Sequence, residues 1–569
     1  MKIKLFQKLI MVGITFVFSS SAIAQQPAPD EFLKLLSRAQ ERSNASDWTA
    51  AAPLWERVVA INPNVAWYWY LLGSAERNAG DYKKAIPSLE RSLHLGAGRL
   101  STIAMDIARC YASLKDKEQT LQWIERSIKL GFRVRESLKT DATFEFLRDD
   151  PKFKALAVDV DTKSMSRTEG WRFDLSFLEG EIKRMHYRPF RKVSQAEFES
   201  DFQQLRKDVS KLTDNQIAAQ IMRLMALIGD GHTGLFPDLM SNWNGVPMQF
   251  GQFKEGLFIT TADPKYADLV GSQVLRIGES TPEQLIKTIS PVISKDSDQA
   301  VTRAFGDYIR YPQLLNGLGL QSQTDRLLLT VRGPDGNTRS AEVLVAPRDP
   351  DFSRIAGHPK WVTVFQNSPG PLPLYLKDRR TPYWFETLPD QPKTLYFQFN
   401  LVVNSPTETF QQFTDRLFKF IDDNAIDKLI IDMRWNNGGN TLLMRPLING
   451  IIRHGRIDQT GKLFVIVGRF TFSAAINVAA ALNANTNAIL VGEPTPTGPN
   501  FIGESNIISL PYSRLRVSIS DIYWQNTWTT DTRTWLAPLL YVPVSFDAFR
   551  AKRDPALEAI LKYPGNASN

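Results

Sequence analysis

In DNQIAAQIMRLMALIG the apolar residues Ile217, Ile221, Leu224 and Ile228 fall at helical spacing and make one face of a helix, with Asp214 as its cap. FLEGEIKRMHYRPF and QAEFESDFQQLRKDVSKL, just upstream, also read as helices. Between Val246 and Ala346 the pattern shortens to strands and turns. These are LFITTA, SQVLRIGE and RLLLTVRGPDGNTRSAEVLVA, the last a hairpin closed at Asp335-Gly336. A proline-rich passage runs from Pro359 to Pro392. Beyond it TLYFQFN, KLIIDMR, LFVIVG and AILVGE are apolar runs separated by helical segments, the pattern of a buried, largely parallel sheet.

The region ahead of these elements repeats itself. DWTAAAPLWERVVAINP, from Asp47, aligns with DYKKAIPSLERSLHLGA, from Asp81, at a shift of 34 residues. Asp47 meets Asp81, Trp48 meets Tyr82, Ala51 meets Ala85, Pro53 meets Pro87, and Glu56-Arg57 meets Glu90-Arg91. IERSIKLG then matches LERSLHLG at a shift of 35. With Trp69, Leu72, Gly73 and Ala85 where that pattern wants them, residues 30 to about 132 resemble the tetratricopeptide repeat family. Gly73 and Ala85 should let paired helices approach while Trp69 and Leu72 fill the gap. TDATFEFLRDDPKFKAL reads as a closing helix pair, and Cys110 as a buried small hydrophobe.

Composition narrows the class. At 569 residues, 43% hydrophobic and 22% charged, the chain has the make-up of a soluble multidomain protein. It opens as a secretory signal: Lys2, Lys4 and Lys8, the apolar stretch Leu9 to Phe18, then Ala22-Ile23-Ala24 before Gln25. Residues 1–24 are therefore expected to be removed and the protein to be exported, to the periplasm or the medium. Their loss takes three lysines and no acids, lowering the formal charge from +8 to +5. No basic run or aromatic-basic ladder suggests nucleic acid, and no run suggests a membrane span. One cysteine can make no internal disulfide. The five histidines (His94, His186, His232, His358, His454) lack metal-ligand spacing, and no glycine-rich phosphate loop occurs. Neither a metal nor a cofactor is expected.

Three segments carry candidate chemistry. IGDGHTGL places His232 directly after an apolar helix; IIDMRWNNGGN ends a buried strand in Asn436-Asn437-Gly438-Gly439; GRFTFSAAINVAAAL sets Ser473 between a strand and an alanine-rich helix. On these motifs, in this order, with AILVGEPT, DTRTWLAP and DPALEAIL following, residues 170 to 550 resemble the tail-specific, or C-terminal processing, serine peptidases. The resemblance implies a crotonase-like α/β core, a degenerate PDZ-like segment in GLFITTADPKYADLVGSQVLRIGE, and Ser473 as nucleophile. Many members use a lysine about two dozen residues after the serine, but from Leu463 to Ala551 this chain has none, and Gly498 stands at that place. The resemblance then points to the histidine branch, with His232 as base. A third, acidic residue is expected at Asp531, with Glu493 and Asp521 as rivals. Gly438 or Gly439 with the amide of Ala474 would form the oxyanion hole.

Plainer readings stand beside these. Ser473 fits a helix cap as well as a nucleophile, and Gly438-Gly439 fits a tight strand-to-helix turn. Asp432 and Arg434 read as a structural pair at a strand end. Glu493 and Asp531 also read as ion-pair partners of Arg469 and Arg533. His186, His358 and His454 read as ordinary residues. The organisation expected is a signal (1–24), a repeat array (30–155), a helical segment (170–240), a PDZ-like segment (245–348) and a catalytic core (355–548). The function expected is an exported serine peptidase that uses an acyl-enzyme, with the array binding a protein partner or substrate. The alternative is an inactive interaction or ligand-binding protein on the same fold.

Overall fold

The computed structural model describes residues 29–564 apart from 99, 133–134, 159 and 367, so the expected signal segment lies outside the described residues. The chain divides into two units, Met1–Val160 and Asp161–Asn569.

The first unit is helical and follows the repeat period. Helices Trp48–Ile61, Tyr82–His94 and Lys117–Lys129 alternate with Pro29–Asn44, Ala66–Asn78 and Leu100–Ser113. The aspartate that recurs at 47, 81 and 116 precedes the first set each time. The carboxylates of Asp47 and Asp116 accept hydrogen bonds from Ala50 N and Gln119 N, whereas Asp81 makes no such cap. A Cβ at Gly73 would come within 2.7 Å of the Leu89 side chain, so glycine is what lets these two helices close. Leu72 is buried. Trp69 is half-buried, packs against the same apolar cluster as Leu72 and donates from Nε1 to Pro63 O at 2.9 Å. Cys110 is fully buried, and burial pushes its thiol up to about 12. The closing pair is short: a 3-10 turn Ala142–Leu147 and a helix Pro151–Leu156, joined through Phe144 and Phe153.

The second unit begins with three helices, Arg167–Met185, Gln195–Asp208 and Asp214–Ala226, each opened by a capping box. In the third the cap is Thr213, which pairs with Gln216, and not Asp214. Asp214 instead takes Arg167 and the Trp171 indole. Ile217, Ile221, Leu224 and Ile228 all point into the core, as their spacing requires.

The next segment forms β1 (Met248–Phe253), β2 (Gly256–Ala262), β3 (Gln273–Ile277), β4 (Arg326–Arg332) and β5 (Thr338–Leu344). They pair in sequential order as an antiparallel meander, with helices Pro282–Ile289, Gln299–Tyr308 and Pro312–Gly317 inserted between β3 and β4. The β4–β5 hairpin closes at Asp335-Gly336 as expected. A short strand, β6 (Val362–Thr363), pairs with β2.

The second sheet contains β7 (Tyr383–Leu388), β8 (Gln391–Phe399), β9 (Lys428–Asp432), β10 (Leu463–Val467) and β11 (Ile489–Gly492). A long hairpin, β12 (Asn500–Ser509) with β13 (Arg516–Gln525), follows, and β14 (Leu540–Tyr541) completes the sheet edge. The order is β14-β11-β10-β9-β8-β7, parallel except for the β7–β8 hairpin. Both faces are covered. Leu429, Ile431, Val465 and Val467 pack under helices Phe410–Asp423, Arg445–Arg453 and Ala474–Asn485, while Ile430, Phe464 and Ile466 pack toward Pro555–Leu561. Alternation every second residue onto two buried faces is why these strands read as unbroken apolar runs.

Candidate active site

Ser473 stands between β10 and the helix Ala474–Asn485. It is formally that helix's cap, but its side chain accepts no capping hydrogen bond. Its backbone lies at φ 56°, ψ −127°, where Ala475 N donates across to Phe472 O at 3.1 Å. These are the angles of the first central position of a type II′ turn, which glycine normally fills. A side-chain-bearing residue held there is strained, and such strain clusters where a side chain must be presented. The capping reading therefore fails: the hydroxyl is half-buried and, among the described residues, unpartnered.

The turn after β9 locks this loop. Asn436 Nδ2 donates to Phe399 O at the end of β8, its Oδ1 accepts from Gly438 N, and its carbonyl accepts from Phe472 N. Thr471 Oγ1 donates to Met433 O and accepts from Gly468 N. Gly438 has φ 113°, and a Cβ there would sit 2.7 Å from Ser473 Cβ and 3.1 Å from Ala474 N. Gly439 has φ 134°, and its Cβ would meet Val402 O at 2.2 Å. Glycine is required at both, so the turn is tight and also opens space in front of Ser473. One expected donor changes: the Gly438 amide is already given to Asn436. The Ala474 and Gly439 amides carry no hydrogen bond among the described residues.

Asp432 and Arg434 form the structural pair expected, with a partner that local sequence does not announce. Arg434 reaches Asp432 at 2.8 Å and takes Asp554 in a two-pronged contact of 3.0 and 2.8 Å. Asp554 also caps the helix Pro555–Leu561 through Ala556 N and Leu557 N. The D-x-R and D-P motifs are thus two halves of one buried ion cluster.

His232 comes from a loop nailed to β13. The Asp230 carboxylate accepts from His232 N at 2.9 Å and Thr233 N at 2.6 Å. Ser518 Oγ donates to His232 O, and Thr233 Oγ1 accepts from Ser520 N. Gly231 N donates to Asp296 Oδ2 at 3.0 Å. The other Asp230 oxygen lies 2.8 Å from His186 Nε2, with both side chains fully buried. Because His186 Nδ1 accepts from Arg188 N, its proton sits on Nε2 and is donated to Asp230.

The His232 imidazole is only 6% exposed and lies between two rings, Phe472 at 4.3 Å and Phe501 at 5.6 Å, nearly parallel to each. Among the described residues neither ring nitrogen meets full hydrogen-bond geometry with a partner, although the Ile502 backbone favours the protonated ring, and no hydrogen bond joins it to Ser473. Burial pushes its pKa down to about 4, with Asp230 opposing and Arg303 adding to the fall. The ring is therefore neutral at pH 7, the state that can take a proton. Serine and histidine are 241 positions apart in the chain, yet the residue directly before Ser473 is the one His232 stacks upon.

The expected third residue is not joined to His232. Asp531 is held by Arg533 at 2.7 Å and by Thr527 Oγ1 at 2.8 Å, contacts with Arg533 first that keep it well below the carboxylate range. Glu493 is clamped by Arg469 at 2.8 and 2.6 Å. Asp521 lies in β13. The acid whose charge acts on His232 is Asp230. Burial alone would raise Asp230, but His186 and its donors outweigh that and keep it ionised. Sequence reasoning passed over Asp230 and set His186 aside; the aspartate stood inside the quoted IGDGHTGL motif, and only its distant partner was invisible.

Beside this site, at the carboxyl ends of β9, β10 and β11, lies a crevice of about 250 Å³. Gly468, Arg469 and Phe470 of the loop that leads to Ser473 line it; Ser473 and His232 do not. Elsewhere Asp349, Asp351 and His358 come within 4.8 Å of one another, with Asp349 and His358 already paired at 3.1 Å. Among the described residues no helix is long and apolar enough to cross a membrane.

Residues 396–532, from β8 to just beyond β13, match the sequence profile of peptidase family S41. No curated protein matches the chain in sequence. Among solved structures, mature CPAF complexed with lactacystin is 13% identical over 69% of this chain and 97% of that one, with a TM-score of 0.47. The photosystem II D1 C-terminal processing protease is 13% identical over 67% of this chain and 96% of that one, TM-score 0.32. In the repeat region, the Yersinia enterocolitica type III secretion chaperone SycD, with a peptide of the translocator YopD, is 14% identical over 23% of this chain and 96% of that one, TM-score 0.18. Residues 396–532 thus carry the profile of peptidase family S41, which, with the motifs around it, marks a serine-type peptidase preceded by a helical repeat array.

Proposed function

We propose that the protein is an exported peptidase in which Ser473 is the nucleophile and His232 its base. Ser473 Oγ attacks the peptide carbonyl while His232 takes its proton. The imidazolium returns the proton to the leaving amine, and water then hydrolyses the ester through the same base. The amides of Ala474 and Gly439 receive the oxyanion, and the helix N-terminus behind Ala474 favours its charge. Asp230, paired with His186, steadies the imidazolium; Asp531 holds the segment after β13. The observation that carries this reading is the positive-φ, non-capping Ser473 set against Gly438 and beside a neutral, buried imidazole. The missing Ser473–His232 hydrogen bond fits a resting site, since such contacts tighten when substrate arrives.

The repeat array supplies a surface for a protein partner or substrate, and removal of residues 1–24 follows export. An active-site fluorophosphonate tests the chemistry: it should label the full chain and fail on Ser473→Ala. N-terminal sequencing of protein from exporting cells should begin at Gln25, whereas an intact Met1 would remove the export reading.

A further inference from the structure

The crevice beside the nucleophile loop has an uneven charge. Three of its arginines are satisfied by acids: Arg434 by Asp432 and Asp554, Arg469 by Glu493, and Arg553 by Glu558. Three others, Arg303, Arg354 and Arg379, also line it. Between them they have one carboxylate, Asp307, 3.4 Å from Arg354 Nε. Arg379 donates to the backbone carbonyls of Ile355 and Ala356. Arg303 has no ion-pair partner among the described residues, and its Nε is buried without a hydrogen bond.

Two of these guanidinium groups converge. Arg303 Nη2 and Arg354 Nη2 both donate to Asn437 Oδ1, at 2.6 and 3.3 Å. Asp307, whose charge acts on both, offsets one of these two cations, and the positive charge left over in a sheltered crevice favours a second anion. Burial, then the neighbouring Arg354, push the Arg303 guanidinium down to about 9, still cationic at neutral pH. The place is equally specific. Asn437 precedes Gly438, whose missing Cβ faces Ser473, and the Arg303 guanidinium rests 4.1 Å from the Phe472 ring.

We infer that Arg303 and Arg354 form a subsite for a carboxylate of the peptide substrate, close to the bond that Ser473 attacks. Guanidinium forks match the two oxygens of a carboxylate, and the Arg303 Nε supplies a donor that protein leaves unused. The apolar remainder of the crevice, including Phe250, Phe365 and Trp435, takes the neighbouring side chains. The carboxylate comes from an Asp or Glu side chain or from the free chain end. This subsite rests on the peptidase reading for its meaning, but binding can be measured without turnover.

The experiment uses the full chain carrying Ser473→Ala and three fluorescent peptides of one length. One has an internal glutamate and an amidated end, one has no acid and a free end, and one has glutamine and an amidated end. At least one carboxylate peptide should bind about 10-fold or more tighter than the neutral peptide, the scale of a charge-assisted contact. The preference should shrink in high salt and in both Arg303→Met and Arg354→Gln. Tight binding of the first peptide alone assigns a side chain, and of the second alone the chain end. Equal binding of all three, or a preference that survives both substitutions, overturns the subsite. Fluorophosphonate labelling of Ser473 in the two arginine variants separates the ideas. A wild-type chain that resists labelling yet discriminates the peptides keeps the subsite and loses the peptidase.

Discussion

The imidazole of His232 lies 4.3 Å from the ring of Phe472, their planes 17° apart, so the proposed base is stacked on the residue that precedes Ser473. Phe501 closes its other side. The arrangement dries the ring and keeps it neutral. Replacing Phe501 by alanine should wet the ring and raise its pKa toward the ordinary 6.5 or so. The acid limb of kcat/KM should move up in pH by about one to two units. Rates measured from pH 4 to 8 check this.

His232 and Asp296 should leave opposite marks on stability. Above about pH 6.5 His232 is neutral folded or unfolded and contributes nothing. As pH falls toward 4 the unfolded chain binds a proton that the native ring, at about 4, refuses. Stability is lost in that window, by at most about 3 kcal/mol. Asp296 has its native pKa raised to about 6, by burial and then by Asp230. Its native carboxyl takes up a proton as pH falls from 6 toward 4, where the unfolded one does not, so stability is gained there and lost as pH rises. The two nearly cancel in the wild type. Urea unfolding at pH 7 and pH 4.5 should show His232→Phe gaining on acidification relative to wild type, and Asp296→Asn losing.

Gly438→Ala should be strongly damaging to activity. The added methyl meets Ser473 Cβ and stands before the Ala474 amide, at a φ that alanine resists. A fall in kcat of at least about 10²-fold is expected, the scale for a lost oxyanion donor. Circular dichroism should be unchanged; stopped-time labelling by a fluorophosphonate reads the rate.

The third-residue question divides Asp230 from Asp531. Asp230→Asn removes the charge next to His232 and should lower labelling by about 10²-fold. Asp531→Asn, whose native partners are Arg533 and Thr527, should change it by less than about 10-fold, since a local surface pair contributes about 0–1 kcal/mol. The reverse order would restore Asp531 as the orienting acid.

Arg434→Ala should cost about 3–5 kcal/mol, because it leaves Asp432 and Asp554 buried and facing one another. Arg434→Met with Asp554→Asn should recover part of the loss in the same urea titration. Independence of the two substitutions would show that the cluster is not a unit.

The parts readable from the chain were those written by local periodicity. The four sheet strands alternate between two covered faces, so each is an unbroken apolar run, and the repeat showed through aspartates one helix-pair apart. Asp214 misled because it is as good a cap as Thr213 in isolation; only Gln216 reaching back to Thr213 decides it. The site was legible as motifs but not as contacts. Nothing local joins His186 to Asp230 across 44 residues, Arg434 to Asp554 across 120, or Arg303 to Asn437 across 134. Gly438 was expected as a possible oxyanion donor, but its amide is bound to Asn436, and what it contributes is the absence of a side chain. Asp531 was nominated as the third residue by position along the chain, and the plainer reading beside it, an ion pair with Arg533, is the contact it makes.

Intact mass after fluorophosphonate treatment is the most direct test of the whole account. One adduct on the full chain, mapped to Ser473, lost in Ser473→Ala and at least about 10²-fold slower in His232→Ala, is the predicted result. An adduct that persists in Ser473→Ala, or forms at the wild-type rate without His232, would contradict it.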